Sequence, residues 1–256
     1  MTLTADAAIG DRAGTEARQR VGVPADGPVD DILAVLERTT ALNIFVVSLE
    51  ADGIAGAYQS KLGHDWVIVN ADNPVERQRF TLAHEYGHHY LGHGDTYDTA
   101  GYASDSTPKE VQANYFAGAF LVSSAALDRA LERIERPPID FDVLAALAVF
   151  FGVSAKAMRI RLETLGRLTP TDIVDFDKRI ESKEHYGLGR ALGVTPIADS
   201  LALAKREGGR TPAPMLARAL VAADRGLLRD DRLPELLHVP AESIAALRVR
   251  EQVDDE

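Results

Sequence analysis

Histidines are concentrated in one short stretch of this sequence. Four of the seven histidines fall within ten residues, in the string LAHEYGHHYLGH, at His84, His88, His89 and His93. His84 and His88 are one helical turn apart, so on a helix their imidazoles project from one face, offset by about 40° around the axis and about 6 Å along it. Two imidazoles placed in this way can bind one metal ion. Glu85, the second residue of this H-E-x-x-H motif, can then reach a water molecule at the metal without being a ligand itself.

The H-E-x-x-H motif predicts hydrolytic zinc chemistry. A catalytic zinc site combines three protein ligands with one open position for water, and zinc lowers the pKa of that water from its bulk value to about 7. We therefore predict that Glu85 accepts the proton of a zinc-bound water and later delivers it to the leaving amine. The expected cofactor is one zinc ion per chain, with His84 and His88 as two of its ligands.

The third ligand is open between two interpretations of one glutamate. Glu110 lies at the start of the next predicted helix, where its carboxylate can approach the first helix across an antiparallel hairpin and complete a His₂Glu set. However, Thr107-Pro108-Lys109-Glu110 is also a capping box, with Thr107 as the N-cap and Glu110 at the third helical position. The spacing alone does not separate these interpretations.

Other polar residues near the motif are weaker candidates for the third ligand. His93 follows His88 by five residues, whereas the metzincin pattern H-E-x-x-H-x-x-G-x-x-H needs six, and Gly87 is not at that pattern's glycine position. A ligand on a loop holds its geometry badly, which disfavours three carboxylates, Asp95, Asp98 and Asp105. We interpret His89 and His93 as surface histidines or as partners of the ligands.

Composition excludes several other kinds of site. The chain has no cysteine, which removes disulfides, thiolate nucleophiles and every Cys-based metal site. Its 28 basic and 39 acidic residues give a formal charge of −11, which disfavours nucleic acid or an acidic membrane as the main partner of the whole chain. The first residues do not resemble a secretory leader, and no apolar stretch is long enough to span a bilayer, so we expect a cytoplasmic protein.

The apolar pattern before the motif predicts an α+β fold that is mostly helical. Residues 1–26 show little periodicity and are interpreted as a flexible N-terminal arm, with at most a short helix over Thr15–Val21. A helix over Pro28–Leu42 then precedes three β-prone runs, which are Ile44–Leu49, Ile54–Gln59 and Trp66–Val69. These runs predict a small antiparallel sheet packed on the helix that carries the H-E-x-x-H motif, called the zinc helix below.

The zinc helix itself has clear predicted ends. Asp72 or Asn73 can cap a helix that begins at Pro74, and Gly92 ends it. A polar loop from His93 to Ser106 leads to the helix that begins near Pro108.

The second half of the chain contains two similar stretches, Phe150–Met158 and Leu236–Ile244. In each, an apolar helix end is followed by a tight turn, a cap-like residue and a second helix, which is typical of a helix-turn-helix but also of an ordinary helical hairpin. With a boundary near Pro137, we predict a metallopeptidase domain over 27–137, a helix-turn-helix-like subdomain over 138–168 and a helical region over 169–256 that includes the second such unit.

Two blocks of the sequence resemble the ImmA/IrrE family of bacterial and phage zinc metallopeptidases. Residues 77–88, RQRFTLAHEYGH, and 110–117, EVQANYFA, match the family's R-x-R-F-T-L-A-H-E-x-G-H and E-x-x-A-N-x-F-A motifs at the expected separation. The resemblance covers about residues 28–165. It implies a minimal gluzincin-like fold with His84, His88 and Glu110 on zinc and Glu85 as the general base. Residues 120–123 read FLVS where the family often has LLMP, which changes only a local turn.

The resemblance also implies a role. Family members with an assigned role relieve repression of mobile-element or stress genes by cleaving, or promoting the loss of, a helix-turn-helix repressor, and we expect such a repressor, of the XRE type, to be the protein substrate. Trp66–Val69 is either a core strand or an edge strand to which an extended substrate segment can add. Val67 and Val69 in this strand, together with Tyr115, are therefore the candidate substrate-binding residues.

Two other classes of function remain as alternatives. A non-catalytic regulator would bind DNA through residues 154–163, which hold Lys156, Arg159 and Arg161, yet the net charge over 140–167 is only +1 (four basic and three acidic residues). Direct DNA binding is therefore disfavoured. An interaction module with a structural zinc is disfavoured by an open His₂Glu site with an intact Glu85.

Overall fold

The computed structural model of the chain describes residues 3–49, 54–61, 63–99, 107–134, 138–188, 194, 197, 199–206, 209–237, 241 and 244–245. The α-helices in these ranges are α1 Ala5–Arg20, α2 Ile32–Thr39, α3 Val75–Leu91, α4 Pro108–Leu121, α5 Ser124–Ile134, α6 Phe141–Phe151, α7 Ala155–Thr164, α8 Pro170–Glu181, α9 Ser200–Arg206, α10 Ala213–Asp224 and α11 Leu233–Leu237. The strands are β1 Leu42–Val47, β2 Ile54–Lys61, β3 His64–Asn70, β4 Thr96–Thr99 and β5 Gly209–Arg210. The mostly helical α+β class is confirmed.

The sheet is mixed, so the prediction of an antiparallel sheet was wrong in part. Its strand order is β4-β2-β3-β1-β5, and β1 runs parallel to β3, while the other neighbours are antiparallel. The reason is that β2 does not pair with β1. Instead, β3 pairs antiparallel with β2 and lies between β2 and β1, so it runs parallel to β1. The turn predicted at Asp52-Gly53 lies outside the described residues.

The position of β3 decides between the two interpretations of Trp66–Val69, which is a core strand and not an edge strand. Both sides of β3 are used, since β2 hydrogen-bonds one side and β1 the other. Among the strands that the structure describes, β4 and β5 lie at the edges of the sheet. Strand β4 itself lies within the stretch predicted to be a polar loop, and residues 100–106 of that stretch lie outside the described residues.

The N-terminal arm proved to be a packed helix, which is a second correction. Thr4 caps α1, and two glycines let α1 lie directly against the α4 backbone. A Cβ atom on Gly10 would lie 2.1 Å from the carbonyl oxygen of Gln112, and one on Gly14 would lie 2.4 Å from that of Phe116. Small residues that looked like loop composition are therefore the contact surface of a close helix pair.

Helix α3 lies between the sheet and α4, so it is buried on both sides. Its last turn ends at Gly92 in the left-handed conformation (φ 68°), as predicted, but Pro74 occupies the N-cap position without a side-chain cap. Because both faces are covered, several polar side chains of α3 face protein: Arg79 and Glu85 are 1% and 0% exposed, whereas Glu76 in the first turn is exposed.

Helices α6 and α7 form the expected helix-turn-helix shape, with Gly152 (φ 62°) in the turn and an angle of 106° between the axes. Their apolar residues belong to the same hydrophobic cluster as those of α3 and α4. The packing therefore continues across the predicted boundary near Pro137, a residue outside the described ranges.

Part of the C-terminal helical region joins the same unit. Strand β5 pairs with β1, and Asp199 forms a buried ion pair with Arg79 on α3. A separate small cluster lies beyond β5 and is made of Ala219, Leu220, Ala223, Leu233 and Leu237. The second helix-turn-helix-like stretch lies largely outside the described residues. Among the helices described, none is by itself long and apolar enough to cross a membrane.

Candidate metal centre

Helices α3 and α4 approach closely at the turn that carries the H-E-x-x-H motif. A Cβ atom on Gly87 would lie 2.9 Å from the ring of Phe116, so only glycine allows α4 to pack at this distance. The rings of Tyr86, Phe116 and Phe120 pack around this contact. The helix contact brings the first turn of α4 next to the two histidines of α3.

Three side chains converge here on one point. The Nε2 atoms of His84 and His88 are 3.0 Å apart, and the Glu110 carboxylate oxygens lie 3.1 Å from His84 Nε2 and 3.3 Å from His88 Nε2. His84 and His88 are buried, and the Glu110 side chain is 24% exposed, so the cluster opens to solvent on the Glu110 side. This group of atoms can hold a metal ion.

The structure assigns the helix cap to Thr107 and turns the Glu110 carboxylate towards the two histidines. The Thr107 hydroxyl accepts a hydrogen bond from the Glu110 backbone N–H at 3.3 Å, so Thr107 is the N-cap of α4. The Glu110 carboxylate, however, faces the two histidines. The imidazoles of His84 and His88 beside it hold the pKa of Glu110 well below its usual range, so the carboxylate is charged.

Each histidine of the cluster has a polar partner behind it. His84 Nδ1 lies 3.1 Å from Asn114 Oδ1, and His88 Nδ1 lies 2.9 Å from His93 Nδ1. Burial lowers the pKa of His88 and of His93, which keeps both imidazoles neutral at neutral pH. His93 therefore touches a candidate ligand, in agreement with one of the two roles predicted for it.

Among the remaining candidates, the two whose side chains the structure describes in the loop and at the end of α3, Asp95 and His89, do not join the cluster. The Asp95 carboxylate accepts a hydrogen bond from the Ser60 backbone N–H, and His89 lies against Tyr58 and Asp65. The side chains of Asp98 and Asp105 lie outside the described residues.

Glu85 lies on the sheet side of α3 and is 0% exposed. The Thr96 hydroxyl of β4 donates a hydrogen bond to Glu85 Oε2 at 3.2 Å. A Cβ atom on Gly56 of β2 would lie 3.4 Å from Glu85 Oε1 and 2.4 Å from the Thr81 side chain, so β2 approaches the carboxylate through a glycine. The sheet edge formed by β2 and β4 thus holds Glu85 in place.

The candidate substrate-binding residues divide into two groups. Val67 and Val69 are 0% exposed in the core, so the structure contradicts their prediction as substrate-binding residues. Their side chains are covered because β3 is central in the sheet. Tyr115, in contrast, lines an open apolar cavity of about 190 Å³ beside His84, together with Phe80, Asn114, Gly118, Leu121, Val122, Val153, Ala157, Ile160, Arg161 and Thr164.

Sequence reasoning assigned no role to Asn114, Gln112 or Thr96. A signal for Asn114 was present, because it follows Glu110 by four residues and so lies on the same face of α4. Thr96 gave no signal, since its contact with Glu85 depends on the pairing of β4 with β2.

Comparison with known proteins agrees with this geometry. Residues 39–163 match the IrrE N-terminal-like domain of peptidase family M78, the ImmA/IrrE family. The match includes β1 to β3, the metal cluster, Glu85 and the α6–α7 pair, whereas α1 lies outside it. No curated protein matches the chain. Residues 39–163 therefore form a domain of a metallopeptidase family.

Proposed function

Because the chain contains an ImmA/IrrE-type metallopeptidase domain, we propose that it is a zinc-dependent endopeptidase with His84, His88 and Glu110 as the metal ligands. The convergence of three donor side chains next to a buried glutamate carries this proposal. The ligand set is the His₂Glu set of catalytic zinc sites, which leaves one coordination position open.

The distances between the donor atoms support zinc. Ligands about 2.1 Å from a tetrahedral ion are about 3.4 Å from one another. The three distances here are 3.0, 3.1 and 3.3 Å, so the donors need to move apart by only a few tenths of an ångström. Nitrogen and carboxylate donors with no thiolate also suit zinc.

Glu85 is the group that we propose to move protons. When bound, zinc would lower the pKa of a water molecule and polarise the scissile carbonyl group. Glu85 would accept the proton of the attacking water and donate it to the leaving amine. The hydrogen bond from Thr96 orients this carboxylate before substrate binds, which lowers the cost of reaching the productive geometry.

We propose that the substrate is a helix-turn-helix repressor in the cytoplasm of a bacterium or in a phage-infected cell, whose cleavage relieves repression. The resemblance of both sequence blocks to the ImmA/IrrE family supports this substrate class. The buried state of Arg159 and Arg161, which are 7% and 4% exposed, argues against the alternative that the α6–α7 pair binds DNA.

The cavity beside His84 is the proposed recognition site for one apolar side chain of the substrate. It lies between α4 and α7, and Asn114 links its wall to His84. A cavity of about 150 Å³ is large enough for a benzene ring, so a volume of about 190 Å³ suits an aromatic or branched aliphatic side chain. If the substrate also pairs with the sheet, the strand available next to Glu85 is β4, not β3.

The first experiment is cleavage of the repressor encoded beside this gene by the zinc-loaded protein. Glu85→Gln should bind one zinc per chain yet cleave at least about 100-fold more slowly, because the proton acceptor is lost. Glu76→Gln is the matched control, since Glu76 is exposed on the first turn of the same helix. Undiminished cleavage by Glu85→Gln would refute the mechanism, and an intact repressor after incubation with the zinc-loaded wild type would refute the proposed substrate.

The cavity is tested by filling it from Gly118. A Cβ atom there would meet only the Arg161 side chain, at 3.8 Å, so Gly118→Ala should fold and cleave normally. Gly118→Leu should fill the cavity and reduce kcat/KM by at least about tenfold for a substrate with a bulky apolar residue. Equal kcat/KM values for both variants would contradict the assignment of the cavity.

A further inference from the structure

A chain of hydrogen bonds runs from the metal cluster to the N-terminal helix. His88 Nδ1 lies 2.9 Å from His93 Nδ1, and His93 Nε2 lies 2.9 Å from Gln112 Oε1. Gln112 Nε2 donates to Asp6 Oδ1 at 2.7 Å. His88 and His93 are buried, and Gln112 and Asp6 are partly buried, so solvent competes little with these bonds.

The carboxylate at the far end fixes the direction of every bond in this chain. A carboxylate only accepts hydrogen bonds, so Gln112 must turn its NH₂ group towards Asp6 and its oxygen towards His93. His93 then donates from Nε2 and offers a lone pair at Nδ1. His88 must therefore carry its proton on Nδ1, which leaves a lone pair on Nε2, the atom in the metal cluster.

The fold places Asp6 for this contact. Gly10 of α1 lies against the Gln112 carbonyl group, which fixes the height of α1 along α4. Asp6 is one turn before Gly10 and therefore lies on the same face of α1. It is also in the first turn of α1, where the helix dipole favours a charged carboxylate.

Asp6 and Glu110 favour opposite positions for the proton on the His88 imidazole. Glu110 lies 3.3 Å from His88 Nε2, so without metal it would favour a proton on that atom. A proton there would block the lone pair that a metal ion needs. The two carboxylates thus compete for the position of one proton on His88.

We propose that Asp6, on a helix outside the matched family domain, is a positioning residue that holds His88 in the metal-binding tautomer through Gln112 and His93. The inference rests on the metal ligands proposed above. It gives α1 a role in the metal centre in addition to its packing against α4.

The test replaces Asp6 with its uncharged isostere. In the metal-free wild type, nitrogen-15 NMR of histidine should show His88 protonated on Nδ1, whereas Asp6→Asn should move the proton to Nε2. Zinc affinity, measured by competition with a chelator, should fall about tenfold in Asp6→Asn, the lower end of the range for groups behind a ligand.

Two further variants separate this role from general support by α1. Asp11→Asn removes the negative charge with which α1 pairs Arg161 but leaves the hydrogen-bond chain intact, so zinc affinity and the tautomer should not change. Combining Asp6→Asn with Gln112→Glu should restore the zinc affinity and the His88 tautomer. The carboxylate introduced at position 112 accepts from His93 Nε2, and the amide introduced at position 6 donates to that carboxylate.

Several results would overturn the proposal: a wild-type His88 protonated on Nε2, an unchanged tautomer or affinity in Asp6→Asn, an equal loss in Asp11→Asn, or no rescue by the double variant. Failure of the wild type to bind zinc would instead refute the proposed function. The tautomer of metal-free His88 would still decide the role of Asp6 in that case.

Discussion

Two helix pairs of this protein, α3–α4 and α6–α7, are built alike but use their buried polar side chains differently. Helices α3 and α6 each end at a glycine in the left-handed conformation, Gly92 and Gly152. In the α3–α4 pair, His84, His88 and Glu110 point at one another.

In the α6–α7 pair, the buried polar groups are already used by neighbouring elements. Arg161 Nε donates to the Val122 carbonyl group at 2.7 Å, and its guanidinium pairs with Asp11 of α1. Arg159 pairs with Glu163. The α6–α7 pair, which resembles a DNA-binding motif, thus stabilises the fold. The difference between the two pairs shows that the chemistry of a helix pair depends on where its buried polar atoms point.

The largest effect is expected at Glu110. Glu110→Ala removes a proposed ligand and should reduce zinc affinity by more than about 100-fold, beyond the loss usual for a group behind a ligand. Thr107→Ala removes only the N-cap of α4 and should cost about 1 kcal/mol of unfolding free energy while zinc remains bound. Metal analysis and urea denaturation of both variants measure these effects, and normal zinc affinity in Glu110→Ala would show that Glu110 is not a ligand.

The next largest effect is a loss of stability when Arg161, which links α7 to Val122 and to Asp11 of α1, is replaced. Arg161→Ala leaves a buried carbonyl group and the Asp11 carboxylate without this partner, and it should lower the unfolding free energy by about 3 kcal/mol. Arg167→Ala is the control, because the Arg167 and Asp128 side chains are 42% and 45% exposed and such pairs contribute less than about 1 kcal/mol. Equal losses in urea denaturation would show that α7 does not brace the fold.

The contrast between the pairs also explains what the sequence could predict. The spacing of His84 and His88 on a helix is local, so the ligand face of α3 and its end at Gly92 followed directly from the pattern. The position of Glu110 at the start of the next helix made it a candidate ligand, and only the resemblance to the ImmA/IrrE family favoured this role over that of a capping residue.

The features that escaped prediction depend on contacts between distant segments. Strand β1 pairs with β3 although β2 lies between them in the sequence. No local pattern distinguishes this strand order from a simple meander, in which β1 would pair with β2. Similarly, Gly10 and Gly14 are typical of a loop until α4 lies against them. The contacts of Asp6 and Thr96 with the site depend on these long-range arrangements.

The two helix-ending glycines offer a smaller test of the same comparison. A Cβ atom on Gly92 would meet nothing within 4 Å, whereas one on Gly152 would lie 2.9 Å from Arg79 Nε. Arg79 is 1% exposed and donates to the Gly152 carbonyl group, so it cannot move away easily. Gly92→Ala should cost about 1 kcal/mol for the left-handed backbone, and Gly152→Ala about 2 kcal/mol. Equal unfolding free energies would contradict the docking of this turn on α3.

The smallest effect is expected at Lys156, which decides between the bracing and DNA-binding interpretations of α7. Its ammonium group pairs with Asp177 at 2.7 Å, but the Lys156 side chain is 43% exposed and Arg159 Nε also lies 3.0 Å from the same oxygen. Lys156→Ala should therefore cost less than about 0.5 kcal/mol. If α7 bound DNA, this variant would instead weaken binding, and the slope of log K against log salt concentration would fall by the amount expected for about one phosphate contact. Gel-shift titrations at several salt concentrations measure this, and a protein that retards duplex DNA with such a dependence would contradict the assignment of α7 as a brace.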